Sequence, residues 1–301
     1  MGKTAFLFPG QGSQYVGMGK DLYEGSGEAR ALFDEADCVL GVPLSRLCFE
    51  GPEEELRQTI NTQPAIFLHS VVLARLMRGG DAQMAAGHSL GEYSALVWSG
   101  ALTFEDGLKL VRLRGELMQR AGTEQPGTMA AVIGLSPEQT EEMCREAGSA
   151  GVVQPANFNS PGQIVISGSV AGVRRAMELA RSGGARMVKE LQVSGAFHSP
   201  LMAPAREGLR SALGRVNIRQ ARIPVYANVT AEPVRDPDEI RRLLDAQLTS
   251  PVRWEQIMVN MKRDGAATFV EIGPSRVLQG LAKRTLPDAE VRGLESLADV
   301  S

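Results

Sequence analysis

From Thr4 to Arg120 short apolar runs alternate with stretches of helical periodicity, and no other feature of the chain narrows its possible folds as much. Thr4–Phe8 is an apolar run closed by Pro9-Gly10, as a buried strand would be. Helical spacing follows over Glu28–Leu40 and over Thr62–Met77, where Ile66, Leu68, Val71, Val72, Leu73 and Leu76 form a broad apolar stripe. Gln83–Ala86 is a second short strand, and Glu92–Ser99 and Thr103–Arg120 read as helices. The latter opens Thr-Phe-Glu-Asp, with acid at its positive end. Strands that alternate with helices pair in parallel, so the pattern predicts an α/β layer structure around a parallel sheet.

The pattern changes after Glu124-Gln-Pro-Gly127. Met129–Gly134 reads as a strand, and Ser136-Pro-Glu-Gln139 opens a helix with a capping box and Pro at its first position. Val152–Phe158 and Gln163–Ser167 are strands joined by Asn-Ser-Pro-Gly, a turn signal; Val170–Arg181 is a helix and Arg186–Val193 a final strand. This β-α-β-β-α-β order predicts a ferredoxin-like subdomain over 126–193, inserted into a large subdomain made of 1–125 and 194–301. In the last part Ile223–Ala227 and Thr268–Ile272 are strand candidates, with helices over Pro237–Gln247, Val252–Lys262 and Pro274–Thr285. Beyond Leu286 no pattern stands out.

Composition excludes several function classes. A chain of 301 residues, 43% hydrophobic and 22% charged, has the material for a sizeable core and is not disordered. Its 32 basic and 35 acidic side chains leave a charge of -3, which gives no electrostatic reason to bind nucleic acid or an anionic membrane. Cys38, Cys48 and Cys144 form no CxxC pair, and His69, His88 and His198 have no metal-ligand spacing, so neither a disulfide framework nor a zinc site is expected. No stretch approaches the ~20 apolar residues of a membrane span, and the first apolar run is too short for a signal peptide. The expected location is the cytoplasm, which makes Asn228-Val-Thr a chance glycosylation match.

Gly87-His88-Ser89-Leu90-Gly91 lies between a candidate strand and a candidate helix, the context of a nucleophile elbow. The turn is sharp, so its flanks must lack bulk, and a serine there needs a base to become nucleophilic. A helix N-cap serine fits the pentapeptide about equally well. His198 follows a strand end and is the best base candidate; His69, on an apolar helix face, reads as a satisfied core histidine. Gly10-Gln-Gly-Ser-Gln14 could aim backbone N–H groups at an anion, but position 18 is Met where a P-loop needs Lys, and position 15 is Tyr where a dinucleotide fingerprint needs Gly. Arg114 shares an apolar helix face with Leu110, Leu117 and Met118, where it either snorkels or holds a buried carboxylate. Position alone favours snorkelling, and Arg112 reads as solvated. A serine hydrolase would explain the Ser-before-His order, although Asp106 is the only Asp between them; a carrier-docking module with a dead site is a third reading.

Gly-Gln-Gly-Ser-Gln14, Gly-His-Ser-Leu-Gly-Glu-Tyr93, Arg-Gly-Glu-Leu-Met-Gln119, Gly-Ala-Phe-His-Ser199, Gln-Leu-Thr-Ser-Pro-Val252 and Glu-Ile-Gly-Pro274 stand in the order found in malonyl-CoA:acyl-carrier-protein transacylases, which the chain resembles from Phe6 to about Thr285. The resemblance implies an α/β-hydrolase-like core with a ferredoxin-like insert. It implies Ser89 as the acylated nucleophile, His198 as its base, and backbone N–H groups of Gln11 and Leu90 as the oxyanion hole. Gln247 would hold the His198 ring through its carbonyl, Arg114 would clamp the malonyl carboxylate, and Phe197 and His88 would complete the substrate-binding set. Phe197, where some standalone members have Ser, resembles malonyl-selective polyketide acyltransferases, and Leu90 is also typical of malonyl selectivity. The implied activity is ping-pong transfer of malonyl from malonyl-CoA to the phosphopantetheine thiol of acyl carrier protein, for fatty acid synthesis or equally a polyketide pathway. It implies no metal or redox cofactor, and a monomer.

Overall fold

The computed structural model describes residues 2–77 and 81–300. The first part of the chain forms β1 (Lys3–Phe8), α1 (Lys20–Gly25), α2 (Gly27–Leu40), α3 (Leu44–Glu50), α4 (Glu53–Leu56), α5 (Thr59–Leu76), β2 (Met84–Gly87), α6 (Gly91–Trp98) and α7 (Phe104–Glu124). The middle forms β3 (Gly127–Ile133), α8 (Pro137–Ala147), β4 (Val153–Ser160), β5 (Gln163–Ser169), α9 (Val170–Ser182) and β6 (Met187–Glu190). There follow α10 (Ala203–Leu213), β7 (Val225–Tyr226), β8 (Pro233–Val234), α11 (Pro237–Gln247), α12 (Trp254–Arg263), β9 (Ala266–Ile272), α13 (Val277–Thr285) and β10 (Glu290–Leu294).

The described residues form a mixed α/β structure with two sheets. The larger has the order β10-β9-β1-β2-β7-β8, parallel throughout except for the antiparallel edge strand β8. Its central strand shows why the opening apolar run has no polar alternation. Phe6 and Phe8 pack with α5 and α7 on one face, while Ala5 and Leu7 pack with Trp254, Ile257 and Leu281 on the other, so both faces are buried. Each Phe, Leu or Ile side chain so removed from water contributes about 1.5–3 kcal/mol. In parallel register Phe8 faces Gly87, which brings the Pro9-Gly10-Gln11 loop beside the turn that follows β2.

The second sheet is antiparallel, in the order β4-β5-β3-β6. Alternate residues of β3 face opposite ways. Ala130 and Val132 pack under α8 and α9 with Met143, Val173 and Met177, whereas Met129 joins the main core. A parallel bridge, Asn157 to Val252, ties β4 to the stretch after α11. There the Phe158 N–H donates to Val252 O at 2.9 Å and the Val252 N–H to Ala156 O at 2.8 Å.

Several sequence expectations need correction. Helix α5 begins at Thr59 rather than Thr62, with Pro64 inside its first turns. Proline lacks the N–H that would bond the Ile60 carbonyl; Arg112 Nη1 donates to that oxygen instead, at 3.1 Å, and to Asn61 Oδ1 at 2.8 Å. Arg112 is therefore a fastening between α5 and α7, not a solvated residue. The strand expected over 186–193 is regular only over Met187–Glu190, with the Arg186 N–H donating to Ile133 O at 2.7 Å and the Leu191 N–H to Met129 O at 2.9 Å at its two ends. The short helices α1, α3 and α4, helix α10, and strands β8 and β10 escaped the sequence reading. The sequon Asn228 is fully buried, so no glycan could reach it. His69 is buried as expected, but neither ring nitrogen is hydrogen-bonded among the described residues, and burial lowers its pKa to about 4. No helix among the described residues is long and apolar enough to cross a membrane.

Candidate active site

Ser89 lies in the turn between β2 and α6 with φ 53°, a left-handed conformation that a side-chain-bearing residue adopts only when its surroundings insist. The flanking glycines show the constraint. A Cβ on Gly87 would lie 1.9 Å from the Gly91 carbonyl, and one on Gly91 would lie 2.1 Å from Phe8 O. The Asn228 side chain braces the turn from both sides: its Oδ1 accepts the Ser89 N–H at 2.7 Å and its Nδ2 donates to Gly87 O at 2.7 Å. The pentapeptide is an elbow, and the N-cap reading fails, because Ser89 makes no side-chain cap to α6.

The structure brings Ser89, His198, Arg114 and Gln247 together from four separate elements. Ser89 Oγ is 2.8 Å from His198 Nε2. His198, 3% exposed and also at positive φ (57°), turns its Nδ1 to the Gln247 carbonyl at 3.0 Å and the Ser250 carbonyl at 3.2 Å. Carbonyl oxygens only accept, so the proton sits on Nδ1 and Nε2 is left bare toward the serine. Burial, reinforced by the Arg114 charge, pushes the imidazole pKa down from 6.5 to about 3 and keeps it neutral.

Arg114 does not snorkel. It is 1% exposed, donating from Nη1 to Gln63 Oε1 at 2.7 Å and from Nη2 to Ser89 Oγ at 2.9 Å and Gln247 Oε1 at 3.0 Å. A guanidinium thus sits beside the nucleophile with no carboxylate bonded to it among the described residues. Gln11, Leu90, His88, Phe197, Asn157 and Val277 join Ser89, His198 and Arg114 around a cavity of about 250 Å³. The main-chain N–H groups of Gln11 and Leu90 make no hydrogen bond among the described residues. His88 points away from Ser89, its Nε2 2.9 Å from Asn159 Oδ1 and its ring 5.4 Å from that of Trp254; burial lowers its pKa too.

Gln63, Glu92, Asn228 and Gln154 escaped the sequence reading. Gln154 Nε2 donates to the His198 carbonyl at 2.8 Å, carrying support from β4 into the site. Glu92 is 2% exposed, and burial raises its pKa to about 7. The one signal available for Gln63 was a glutamine at the head of an otherwise apolar helix.

Known proteins resemble the chain over nearly its whole length. The acyl transferase domain model matches residues 5–298. A malonyl CoA-acyl carrier protein transacylase of Bacillus subtilis is 48% identical over 287 residues, 94% of this chain and 90% of the relative. The crystal structure of an acyl carrier protein S-malonyltransferase from Vibrio cholerae superposes with a TM-score of 0.95 at 42% identity, covering 99% of this chain and 98% of that one. A malonyl-transacylase solved in complex with its type II polyketide acyl-carrier protein gives 0.95 at 39% identity, with 99% and 97% covered. The chain belongs to the acyl transferase domain family and is an acyltransferase.

Proposed function

We propose that this protein transfers the malonyl group of malonyl-CoA to the phosphopantetheine thiol of acyl carrier protein, supplying extender units for fatty acid synthesis; the same activity would serve a polyketide pathway. The observation that carries the reading is a serine hydroxyl between a bare imidazole nitrogen at 2.8 Å and a carboxylate-free guanidinium at 2.9 Å. Ser89 Oγ attacks the thioester carbonyl and its proton passes to His198 Nε2. The oxyanion is taken by the N–H groups of Gln11 and Leu90, where one donor is worth roughly 10²–10³ in rate. Collapse breaks the C–S bond, and coenzyme A leaves with the proton that His198 returns. The carrier thiol then gives its proton to His198, attacks the acyl-serine, and releases the hydroxyl in its original form. Arg114 swings from Ser89 Oγ to the malonyl carboxylate and pairs with it in a fork. None of these steps requires a metal or redox cofactor.

The fold is read as an α/β-hydrolase-like core, residues 1–125 and 194–301, acting as a monomer in the cytoplasm. The ferredoxin-like unit over 126–193 is supported by the strand order β4-β5-β3-β6 with two helices on one face. Incubation with malonyl-CoA, followed by intact mass and peptide mapping, tests the chemistry. The expected result is one malonyl ester on the Ser89 peptide, discharged by holo acyl carrier protein and absent in Ser89→Ala. An adduct on Cys38, Cys48 or Cys144 would sink the assignment.

A further inference from the structure

Glu92 lies in the first turn of α6, just beyond the nucleophile, and no step above uses it. It makes no ion pair with Arg114 among the described residues. Instead its Oε2 accepts two N–H groups at once, the main chain of Asn228 at 3.0 Å and the side-chain amide of Gln247 at 2.8 Å. Those donors belong to the two segments that the reaction must hold in register. Asn228 braces the elbow that presents Ser89, and Gln247 carries the carbonyl that orients His198. The Gln247 amide has only one workable orientation. Arg114 can only donate, so it must face Oε1, and Nε2 is then left to the acceptors Ser89 O at 3.0 Å and Glu92. Both contacts of Glu92 are made by one oxygen with neutral donors, so its second oxygen can carry a proton without disturbing either.

We propose that Glu92 is a positioning residue of the acyl-transfer site, a double acceptor whose reach, not its charge, locks the Ser89 elbow to the segment that orients His198. The proposal rests on the acyl-transfer reading for its chemistry. Glu92→Gln and Glu92→Asp separate the two properties: the first keeps an oxygen at the same distance without charge, the second keeps the charge one methylene short. Two rates are measured for each variant, malonylation of Ser89 by rapid quench and inactivation by a fluorophosphonate, which needs Ser89–His198 alignment but not the grip of Arg114. Glu92→Gln should stay within about threefold of wild type in both, while Glu92→Asp loses ten- to about a hundredfold in both. The KM for malonyl-CoA should be unchanged in each, and thermal melts should show both folded. A fast Asp variant, a slow Gln variant, or an Asp defect confined to KM would overturn the proposal. A wild type that reacts with the phosphonate but never takes up malonyl would instead refute the transacylase reading, leaving the phosphonate rates to decide the role of Glu92.

Discussion

A buried guanidinium is costly unless it is partnered. Arg114 hydrogen-bonds only neutral amides and a hydroxyl among the described residues, with Glu92 acting on it from beyond Gln247, so it can still take up an anion in direct contact. Replacing it strands the malonyl carboxylate, a penalty of about 3–5 kcal/mol. Arg114→Ala should therefore lose about two to nearly four orders of magnitude in kcat/KM for malonyl-CoA while keeping or gaining acetyl transfer; Arg114→Lys should fall between, supplying charge without the fork. Equal losses on both acyl groups would make the arginine merely structural. Phe197, 6% exposed at the cavity wall, leaves little room for an added methyl, so malonyl-CoA should be preferred over methylmalonyl-CoA by about 1–3 kcal/mol in competing turnover. His198 has a consequence for pH. Its folded pKa, about 3, lies below the 6.5 of an unfolded imidazole, so unfolding takes up a proton between those values and stability drains away as pH falls below about 6.5. Glu92 works in the opposite sense: raised from 4.5 to about 7, it costs stability as pH rises through that window. His198→Gln should flatten the acid limb by about 2 kcal/mol at pH 5, read from urea midpoints at pH 5 and 7.5. An unchanged limb would mean that the imidazole is already protonated in the native protein.

Elements explain how Ser89 reaches its position and why some of the chain was legible. The elbow exists because β2 ends and α6 begins within three residues, at a point where β1 passes so close that Gly91 has no space for a methyl. Gly91→Ala should destabilise the fold by about 1–3 kcal/mol or more and abolish malonylation, checked by denaturant midpoints and by mass. Strand β1 and helices α6 and α7 could be read because their signals are local: a run buried on both faces, a glycine pair, an acidic first turn. Helix α4 is four residues long and β8 only two, too short for any period to show. The strand expected to run to Val193 ends early: the Leu191 N–H still donates to Met129 O at 2.9 Å, but the Leu191 and Val193 side chains line the cavity, where their apolar character serves the site. The site divides the same way. Ser89 and His198 were visible in their own neighbourhoods, whereas Gln63 and Asn228 matter only through partners 51 and 139 residues distant.

At the scale of the whole molecule the reactive groups lie where two sheets meet, and the small sheet does more than cover the cavity. Its strand β4 sends Gln154 to the His198 carbonyl and is itself tied to Val252 by two main-chain hydrogen bonds. Gln154→Leu should lower the malonylation rate about tenfold, with thermal stability little changed, since only the seating of the imidazole is disturbed. A wild-type rate would mean that the two carbonyls below the ring suffice. The strand order of the large sheet reaches beyond catalysis. β1 lies between β2 and β9, so it pairs on one side with a strand ending at Gly87 and on the other with one that begins only at Ala266. Until Ala266–Ile272 has been synthesised the chain therefore carries β1 with one edge open, ready to pair wrongly with another nascent chain. Chaperone demand should be highest in that interval, and it ends in a single zipping event when β9 slots into place.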